Sequence, residues 1–342
     1  MATKKTKTTR GADEKAKPKA ASGRGSKKIR DPERHVIDYQ HDELPQQLRD
    51  LIATSLAIEA QDAKSAGTIG YMARGLTIAT MPHREPKSPV FERQNGQFTL
   101  SMIGRPSIGL PYGSLPRLLV SWVTTEAVRT QNRELTLGQS LSDFLTQLDL
   151  NRSGGKRGDI TRLRDQMRRL FGCMISAEFN GKTKWALENI ILAERAVVFW
   201  DPQNENDAGV WDSSLLLSEP FFRECIEHPV PVDMRAFMSL KRSPLAIDIY
   251  TWLTYRFSYL SGRTTIPWIS LKGQFGADYQ DTPQGLRDFR RAYIRELQKV
   301  MQVYPNAKVE PTEDGLVLQP SLTSVKRIAL PSQKSLFDPP PR

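Results

Sequence analysis

The chain has 342 residues and a formal net charge of +11, which is long enough for two ordinary domains plus flexible ends. No uninterrupted apolar run approaches the roughly 18 residues of a membrane-spanning helix, and no apolar stretch follows the charged N-terminus as in a secretory signal. The sequence therefore predicts a cytoplasmic protein without a membrane span. Its two cysteines, Cys173 and Cys225, are too few for a disulfide framework and lack zinc-binding spacing.

Most of the positive charge lies at one end of the chain. Residues 1–34 hold 12 Lys or Arg against 4 Asp or Glu, a surplus of +8. Residues 1–40 are therefore predicted to be a disordered basic tail that is attracted to DNA phosphates. The alternative is a solubilising arm or a translational leader. Residues 323–342 are predicted to be a disordered C-terminal tail.

Residues 41–108 are predicted to form an N-terminal extension of one helix and short strands. Leu48, Leu51 and Leu56 recur at the spacing of an amphipathic helix. The runs YMARGLTIATMPHR, from Tyr71, and QFTLSMI, from Gln97, are typical of two strands around a proline-rich loop. The extension could mediate dimer contact or support the domain that follows.

The chain from residue 109 to residue 226 predicts a winged-helix domain. A core helix with Ser114 as its N-cap precedes a short strand, and Ser140 with Asp143 resembles a capping box that opens a second helix. A turn then leads to a basic helix over residues 154–171 and a hairpin that turns at Asn180 and Gly181. A winged helix requires this order of elements.

The same order recurs from residue 227 to residue 322. A core helix begins at Ser243, a short strand at Thr264 and a short helix at Ser270. A long basic helix is expected over residues 286–304, before a hairpin that turns at Asp314. The predicted fold class is therefore α+β, with tandem winged-helix domains.

Both basic helices can pack on one face and present arginine on the other. On a helical wheel, Leu163 and Met167 face inward in the first helix, as Phe289 and Leu297 do in the second. Arginine can make paired hydrogen bonds to guanine in the major groove, so this pattern indicates DNA binding. The alternative is a solvated face with internal ion pairs. The predicted DNA-binding residues are Lys156, Arg157, Thr161, Arg162, Arg168, Lys182, Lys184, Arg287, Arg290, Arg291, Arg295 and Gln298.

Within this set, two kinds of contact are expected. Base contacts are assigned to Arg157, Thr161, Arg287 and Arg291. Phosphate contacts are assigned mainly to Lys156, Arg168, Arg290 and Arg295, and the hairpin lysines Lys182 and Lys184 are also suited to phosphate.

The sequence offers no recognisable catalytic chemistry. Residues 176–183, SAEFNGKT, lack the first glycine of a phosphate-binding loop, and they lie in a predicted hairpin. The four histidines are scattered without metal-binding spacing. We therefore expect a protein that is not an enzyme, with no catalytic residues, metal or cofactor, although a spatial cluster could escape a one-dimensional search.

Long segments of the chain resemble the RepA-type plasmid replication initiators. They include GLPYGSLPRLLVSWVTTEAVRTQ from Gly109, GGKRGDITRLRDQMRRLF from Gly154 and SPLAIDIYTWLTYR from Ser243. The resemblance covers about residues 70–321 and implies two winged helices that bind directly repeated origin sites, the iterons. It also implies local origin melting, copy-number control and recruitment of host replication proteins, namely a helicase with its loader and the host initiator. Such initiators typically act as monomers at the repeats and as homodimers in autorepression.

The C-terminal tail carries a further motif. Gln333, Leu336 and Phe337 resemble the peptide by which bacterial proteins dock on the sliding clamp, with a departure at Lys334. The alternative is a chance match. For the whole chain, the alternatives to an initiator are a transcriptional repressor of the same fold and a DNA-nicking enzyme.

Overall fold

Apolar residues at helical and alternating spacings give the chain a mixed α+β fold. The computed structural model describes residues 45–182, 184–199, 213–276 and 278–325. Its helices are α1 (Gln46–Ala60), α2 (Arg74–Ile78), α3 (Ser114–Thr130), α4 (Leu141–Gln147), α5 (Asp159–Gly172), α6 (Glu219–Glu227), α7 (Met234–Ser239), α8 (Pro244–Phe257), α9 (Trp268–Phe275) and α10 (Pro283–Val303). Its strands are β1 (Ile69–Ala73), β2 (Val90–Asn95), β3 (Phe98–Ile103), β4 (Glu134–Thr136), β5 (Met174–Asn180), β6 (Trp185–Ile191), β7 (Ala193–Val197), β8 (Ser214–Leu217), β9 (Pro229–Asp233), β10 (Thr264–Pro267), β11 (Val309–Pro311) and β12 (Gly315–Leu318).

Two series of elements follow the same order along the chain. The first runs α3, β4, α4, α5, β7 and β8, and the second runs α8, β10, α9, α10, β11 and β12. In each series the first strand pairs with the last, which pairs in turn with the middle one, giving the sheet orders β4-β8-β7 and β10-β12-β11. The two series therefore share both chain order and strand pairing.

The hairpin β5–β6 does not occupy the place that the sequence predicted for it. It joins β2 and β3 in a four-stranded sheet of order β2-β3-β5-β6, whereas β7 and β8 pair with β4. Alternating apolar residues and an Asn-Gly turn define a hairpin locally, but they do not identify its partner strands.

Local capping signals were predicted with mixed success. The hydroxyl of Ser140 accepts from Asp143 N at 3.1 Å and that of Ser243 accepts from Ala246 N at 3.2 Å, so both of these helix starts are confirmed. At α3 the N-cap is Gly113 rather than Ser114, because the chain enters with φ at 77°, a conformation that glycine adopts without steric cost. The predicted strand from Tyr71 ends at Ala73, where the short helix α2 begins.

The N-terminal extension is built into the rest of the fold. Strand β1 pairs along its whole length with β9, from Ile69 opposite Asp233 to Ala73 opposite Pro229. Nearby, the guanidinium of buried Arg74 lies 3.4 Å from the carboxylate of Glu224. Burial raises the pKa of Glu224 to about 7, although Arg74 acts in the opposite direction. The predicted boundaries between the domains stay a prediction.

A buried ionic cluster joins the two series. Arg117 of α3 donates from Nε and Nη2 to the two carboxylate oxygens of Asp248 in α8, each at 2.6 Å. The ring of His83 lies 2.7 Å from the same carboxylate. Burial would raise the pKa of Asp248, but Arg117 and His83 hold it below its usual value. Burial lowers the pKa of His83, assisted by Arg117 and Arg93 and opposed by Asp248.

Because of this cluster, we expect the stability of the fold to decrease in acid. Because the fold lowers the pKa of His83 while the unfolded side chain binds a proton below about pH 6.5, its stabilising contribution is present above that pH and lost as the pH falls. The unfolding free energy of the wild type should therefore fall more steeply than that of His83→Gln between about pH 7.5 and about pH 5. Urea denaturation of both proteins measures the difference. Glu224 is present in both proteins, so its titration contributes to both pH dependences alike. Parallel pH dependences would contradict the prediction.

Candidate nucleic-acid interface

The turn before α5 is held to the first turn of the helix by hydrogen bonds. Asp159 N donates to the hydroxyl of Ser153 at 2.9 Å, and Asn151 N donates to the carboxylate of Asp159 at 2.9 Å. The hydroxyl of Thr161 donates to the carbonyl of Gly155 at 2.8 Å, and Gly155 has φ at 79°. The turn and the helix start therefore form one ordered unit.

Glycine allows the backbone to approach closely at both predicted DNA-binding helices. A Cβ added at Gly158, the N-cap of α5, would lie 2.2 Å from the carbonyl oxygen of Ser153. A Cβ added at Gly285, in the first turn of α10, would lie 2.1 Å from the carbonyl oxygen of Gln280. Both distances are far below contact, so both tight turns require glycine.

Lys156 and Arg157 lie in the turn before α5 rather than on the helix. The helix was predicted from residue 154, but it begins at Asp159, because residues 151–158 form the hydrogen-bonded turn. Both side chains are exposed. Their assignment to DNA stays a prediction, now from a loop that precedes the helix.

The outward face of α5 is basic. Arg162 and Arg168 are exposed, and Arg162 pairs with Asp159 on the same helix. Arg164 is also exposed and was missed by sequence analysis, although it stands three residues after Thr161 and four before Arg168, the spacing of one helix face. Helical spacing alone could have identified it.

The outward face of α10 carries the second set of predicted residues. The side chain of Arg291 is 79% exposed, and its guanidinium lies 3.8 Å from the carboxylate of Asp288. Arg287 donates to the side-chain oxygen of Gln284 at 2.7 Å, and exposed Arg295 lies beside buried Glu296 at 3.1 Å. Gln298 is exposed as well. The guanidinium groups of Arg287, Arg291 and Arg295 thus remain accessible.

Arg290 has a structural role that sequence analysis missed. Its guanidinium lies over the ring of Trp268, 5.3 Å from the centroid, and donates to the carbonyl of Thr312 at 3.0 Å. The indole nitrogen of Trp268 donates to the same carbonyl at 2.9 Å. These contacts fix the β11–β12 hairpin against α9 and α10, leaving Arg290 half-buried. The predicted phosphate contact of Arg290 remains untested.

Two further groups of predicted residues lie apart from the helices. Lys182 and Lys184 are exposed at the turn between β5 and β6, and therefore at the end of the four-stranded sheet. The tail residues Gln333, Leu336 and Phe337 lie outside the described residues. So do residues 200–212, which connect β7 to β8.

The outer face of the four-stranded sheet has a different chemistry. Two neighbouring rows cross all four strands in register, one apolar and one polar, and neither contains arginine or lysine. The apolar side chains are 41% to 48% exposed. The two rows are Val90, Ile103, Met174 and Ile191, then Glu92, Ser101, Ser176 and Asn189. These rows offer no cation to a phosphate.

Within the described parts of the chain, no group of three or more His, Cys, Asp or Glu residues is arranged to hold a metal ion. In the same residues, no helix combines the length and apolar character needed to cross a membrane. Cys173 and Cys225 are both free thiols and both buried, and burial raises the pKa of Cys173 to about 12.

Comparison with known proteins bears on the segment that contains α3, α5 and α8. Residues 110–269 match a family described as plasmid encoded RepA protein. The resemblance to the RepA-type plasmid replication initiators, which the sequence predicted, is confirmed over these residues. No curated protein sequence matches the chain significantly.

Solved structures with a similar arrangement include two of RctB. The crystal structure of RctB domains 2–3 covers 71% of this chain and 94% of its own, with 14% identity and a TM-score of 0.44. A selenomethionine derivative of domain 2 and domain 3 of RctB covers 73% of this chain and 99% of its own, with 12% identity and a TM-score of 0.47.

Because Arg290 and Arg291 lie in different environments, we expect their replacement to change the stability of the fold by different amounts. Arg290→Ala removes a cation–π contact and a charge-assisted hydrogen bond, which should lower the unfolding free energy by about 1–3 kcal/mol. Arg291→Ala should change it by less than about 0.5 kcal/mol because the side chain is largely exposed. Urea denaturation of both variants provides the comparison. A larger loss for Arg291→Ala would show that the roles are reversed.

Proposed function

We propose that this RepA relative is a non-enzymatic initiator that binds repeated sites in plasmid origin DNA through α5 and α10. Binding at the repeats promotes melting of a neighbouring segment and recruits host replication proteins. The proposal combines the family match over residues 110–269 with the two basic helix faces.

One observation carries the proposal: the duplicated topology places a basic helix at the same position in both series. Each of α5 and α10 is the third helix of its series and precedes the hairpin that pairs with the first strand. In a winged helix, the third helix enters the major groove. Two such helices on one chain suit an origin repeat that contains two subsites.

In each helix, the buried face packs against the core and the exposed face is available to DNA. Leu163, Met167 and Leu170 of α5 are buried, as are Phe289 and Leu297 of α10. The accessible guanidinium groups can make paired hydrogen bonds to guanine, and the peripheral cations neutralise phosphates in a salt-dependent manner. Sequence preference therefore comes from the helices and part of the affinity from the surrounding charge.

Melting follows from the energy of DNA distortion. A protein that grips DNA at two points can bend the duplex between them, at a cost that is lowest at flexible pyrimidine–purine steps. Binding energy offsets this deformation and lowers the work of opening an adjacent A·T-rich segment. No catalytic residue is needed for such a mechanism.

The roles of two exposed arginines can be separated by titration. Arg291→Ala should weaken binding by roughly 1–3 kcal/mol and relax the preference at one base pair. Arg168→Ala should weaken binding to all sequences alike and reduce the salt slope by about one. The matched control is Arg129→Ala, which removes an exposed arginine that pairs with Glu126 on α3.

Footprinting on DNA that flanks the gene supplies the repeats for this titration. Protection of direct repeats, together with loss of plasmid maintenance when the gene is deleted, supports an initiator. Protection of a promoter with normal plasmid maintenance would indicate a repressor instead. Magnesium-dependent nicking of supercoiled origin DNA would contradict the non-enzymatic mechanism.

The tail motif supports a proposed contact with the sliding clamp. Leu336 and Phe337 would enter an apolar pocket of the clamp while Gln333 forms a hydrogen bond at its rim. The double variant Leu336→Ala with Phe337→Ala should lose recovery in a clamp pull-down, whereas Lys334→Ala should retain it. Equal recovery of the double variant and the wild type would rule out the contact.

A further inference from the structure

Arg117 and Asp248 form a buried contact between corresponding helices of the two series. Arg117 lies on α3 and Asp248 on α8, the first helix of each series. The side chain of Arg117 is 0% exposed and that of Asp248 is 3% exposed. Both guanidinium–carboxylate hydrogen bonds measure 2.6 Å, so the pair is bidentate.

The other hydrogen bonds of Arg117 go to backbone carbonyl groups at the start of its own helix and in the segment around Met81. Nη1 donates to the carbonyls of Gly113 at 2.6 Å and Pro82 at 3.2 Å. Nη2 donates to the carbonyl of Met81 at 2.7 Å. The Nε2 atom of His83, from the same segment, lies 2.7 Å from Oδ2 of Asp248, the oxygen that also accepts from Nη2. The guanidinium therefore joins three separate stretches of chain in one planar geometry.

The helices α3 and α8 each pack against one of the two proposed DNA-binding helices, α5 and α10. On the first side, Tyr112 N, just before α3, donates to the side chain of Gln166 in α5 at 3.0 Å. On the second side, the ring of Trp252 in α8 contacts Phe275, which contacts Tyr293 in α10, with centroids 5.5 Å and 5.6 Å apart. A continuous packed path thus runs from α5 through Arg117 and Asp248 to α10.

Net stability alone does not account for this pair. A buried ion pair costs desolvation that its attraction only partly repays, and well-packed apolar residues often stabilise a protein equally well. What a bidentate guanidinium adds is direction, because its planar fork accepts a carboxylate in few orientations. The contact is thus suited to holding α3 and α8 at one separation and angle.

We propose that Arg117 and Asp248 are positioning residues that fix the separation of α5 and α10, and thereby the spacing of the two DNA subsites that one chain accepts. This inference rests on the proposed DNA-binding function. Neither residue touches DNA, since both side chains are buried. The pair acts on spacing through α3 and α8.

The test measures the affinity of the full chain for one origin repeat, and for the same repeat with one or two base pairs inserted between its two footprinted subsites. The readout is the ratio of the two dissociation constants. The variants are Arg117→Lys, which keeps the charge but not the fork, and Asp248→Asn. Arg129→Ala is the control on the same helix. A smaller folded fraction weakens both affinities equally, so it leaves the ratio unchanged.

In the wild type, insertion should weaken binding by about tenfold or more, the size of a misplaced specific contact. In both variants the ratio should fall below about threefold, because α5 and α10 can then adjust to either spacing. An unchanged ratio in the variants would overturn the inference while leaving the proposed function intact. Absence of wild-type binding to any repeat would overturn both.

A double variant tests the inference even if the two single variants fail to fold. Arg117→Met with Asp248→Leu replaces the pair by apolar residues of similar size, a change that buried ion pairs often tolerate. It should bind the native repeat yet lose the spacing preference. If it keeps the wild-type ratio, packing rather than the ion pair sets the spacing, and the inference is wrong.

Discussion

The buried guanidinium of Arg117 constrains the rest of the molecule, because a charge removed from water needs its counter-ion and its hydrogen-bond acceptors in fixed places. Those partners come from α8, from the segment around Met81 and from the start of α3. Any movement between the two series would break several of these bonds at once. The two basic helices are therefore attached to a common support rather than joined by a flexible linker.

Arginine occupies two different environments in this chain, one buried and one exposed. Arg117 and Arg74 are buried and paired with carboxylates of distant segments, so they hold elements together. Arg164, Arg168 and Arg291 are exposed to water on the two basic helices, the faces that we propose bind DNA. Arg290 combines both settings, since it is half-buried against Trp268.

Local signals predicted the local structure well. Helical spacing located α5, α8 and α10 within a few residues. The hydroxyl cap Ser140 and the helix start at Ser243 were correct because capping involves only three or four neighbouring residues. The start of α5 was placed too early because Lys156 and Arg157 were assigned to its first turn, whereas residues 151–158 form a turn held by side-chain hydrogen bonds.

Long-range pairing could not be read from the same signals. Nothing near β7 or β8 specifies pairing with β4, and nothing near β1 specifies pairing with β9. Ionic partners were equally hidden. Arg93 and Phe91 lie on the same, buried side of β2, and burial lowers the pKa of Arg93 to about 10. The sequence around Arg93 nevertheless suggests an ordinary exposed arginine. Arg164 is different, because the wheel that identified Arg168 also contained it.

The separation of 131 positions between Arg117 and Asp248 has a consequence for biosynthesis. When α3 leaves the ribosome, the guanidinium of Arg117 has no counter-ion. In the same way, β1 has no partner strand until β9 is synthesised. The nascent first half cannot close its interior until the second half is synthesised. Products of premature termination before Asp248 therefore expose an unpaired charge among apolar residues, which makes them substrates for chaperones and proteases rather than working fragments.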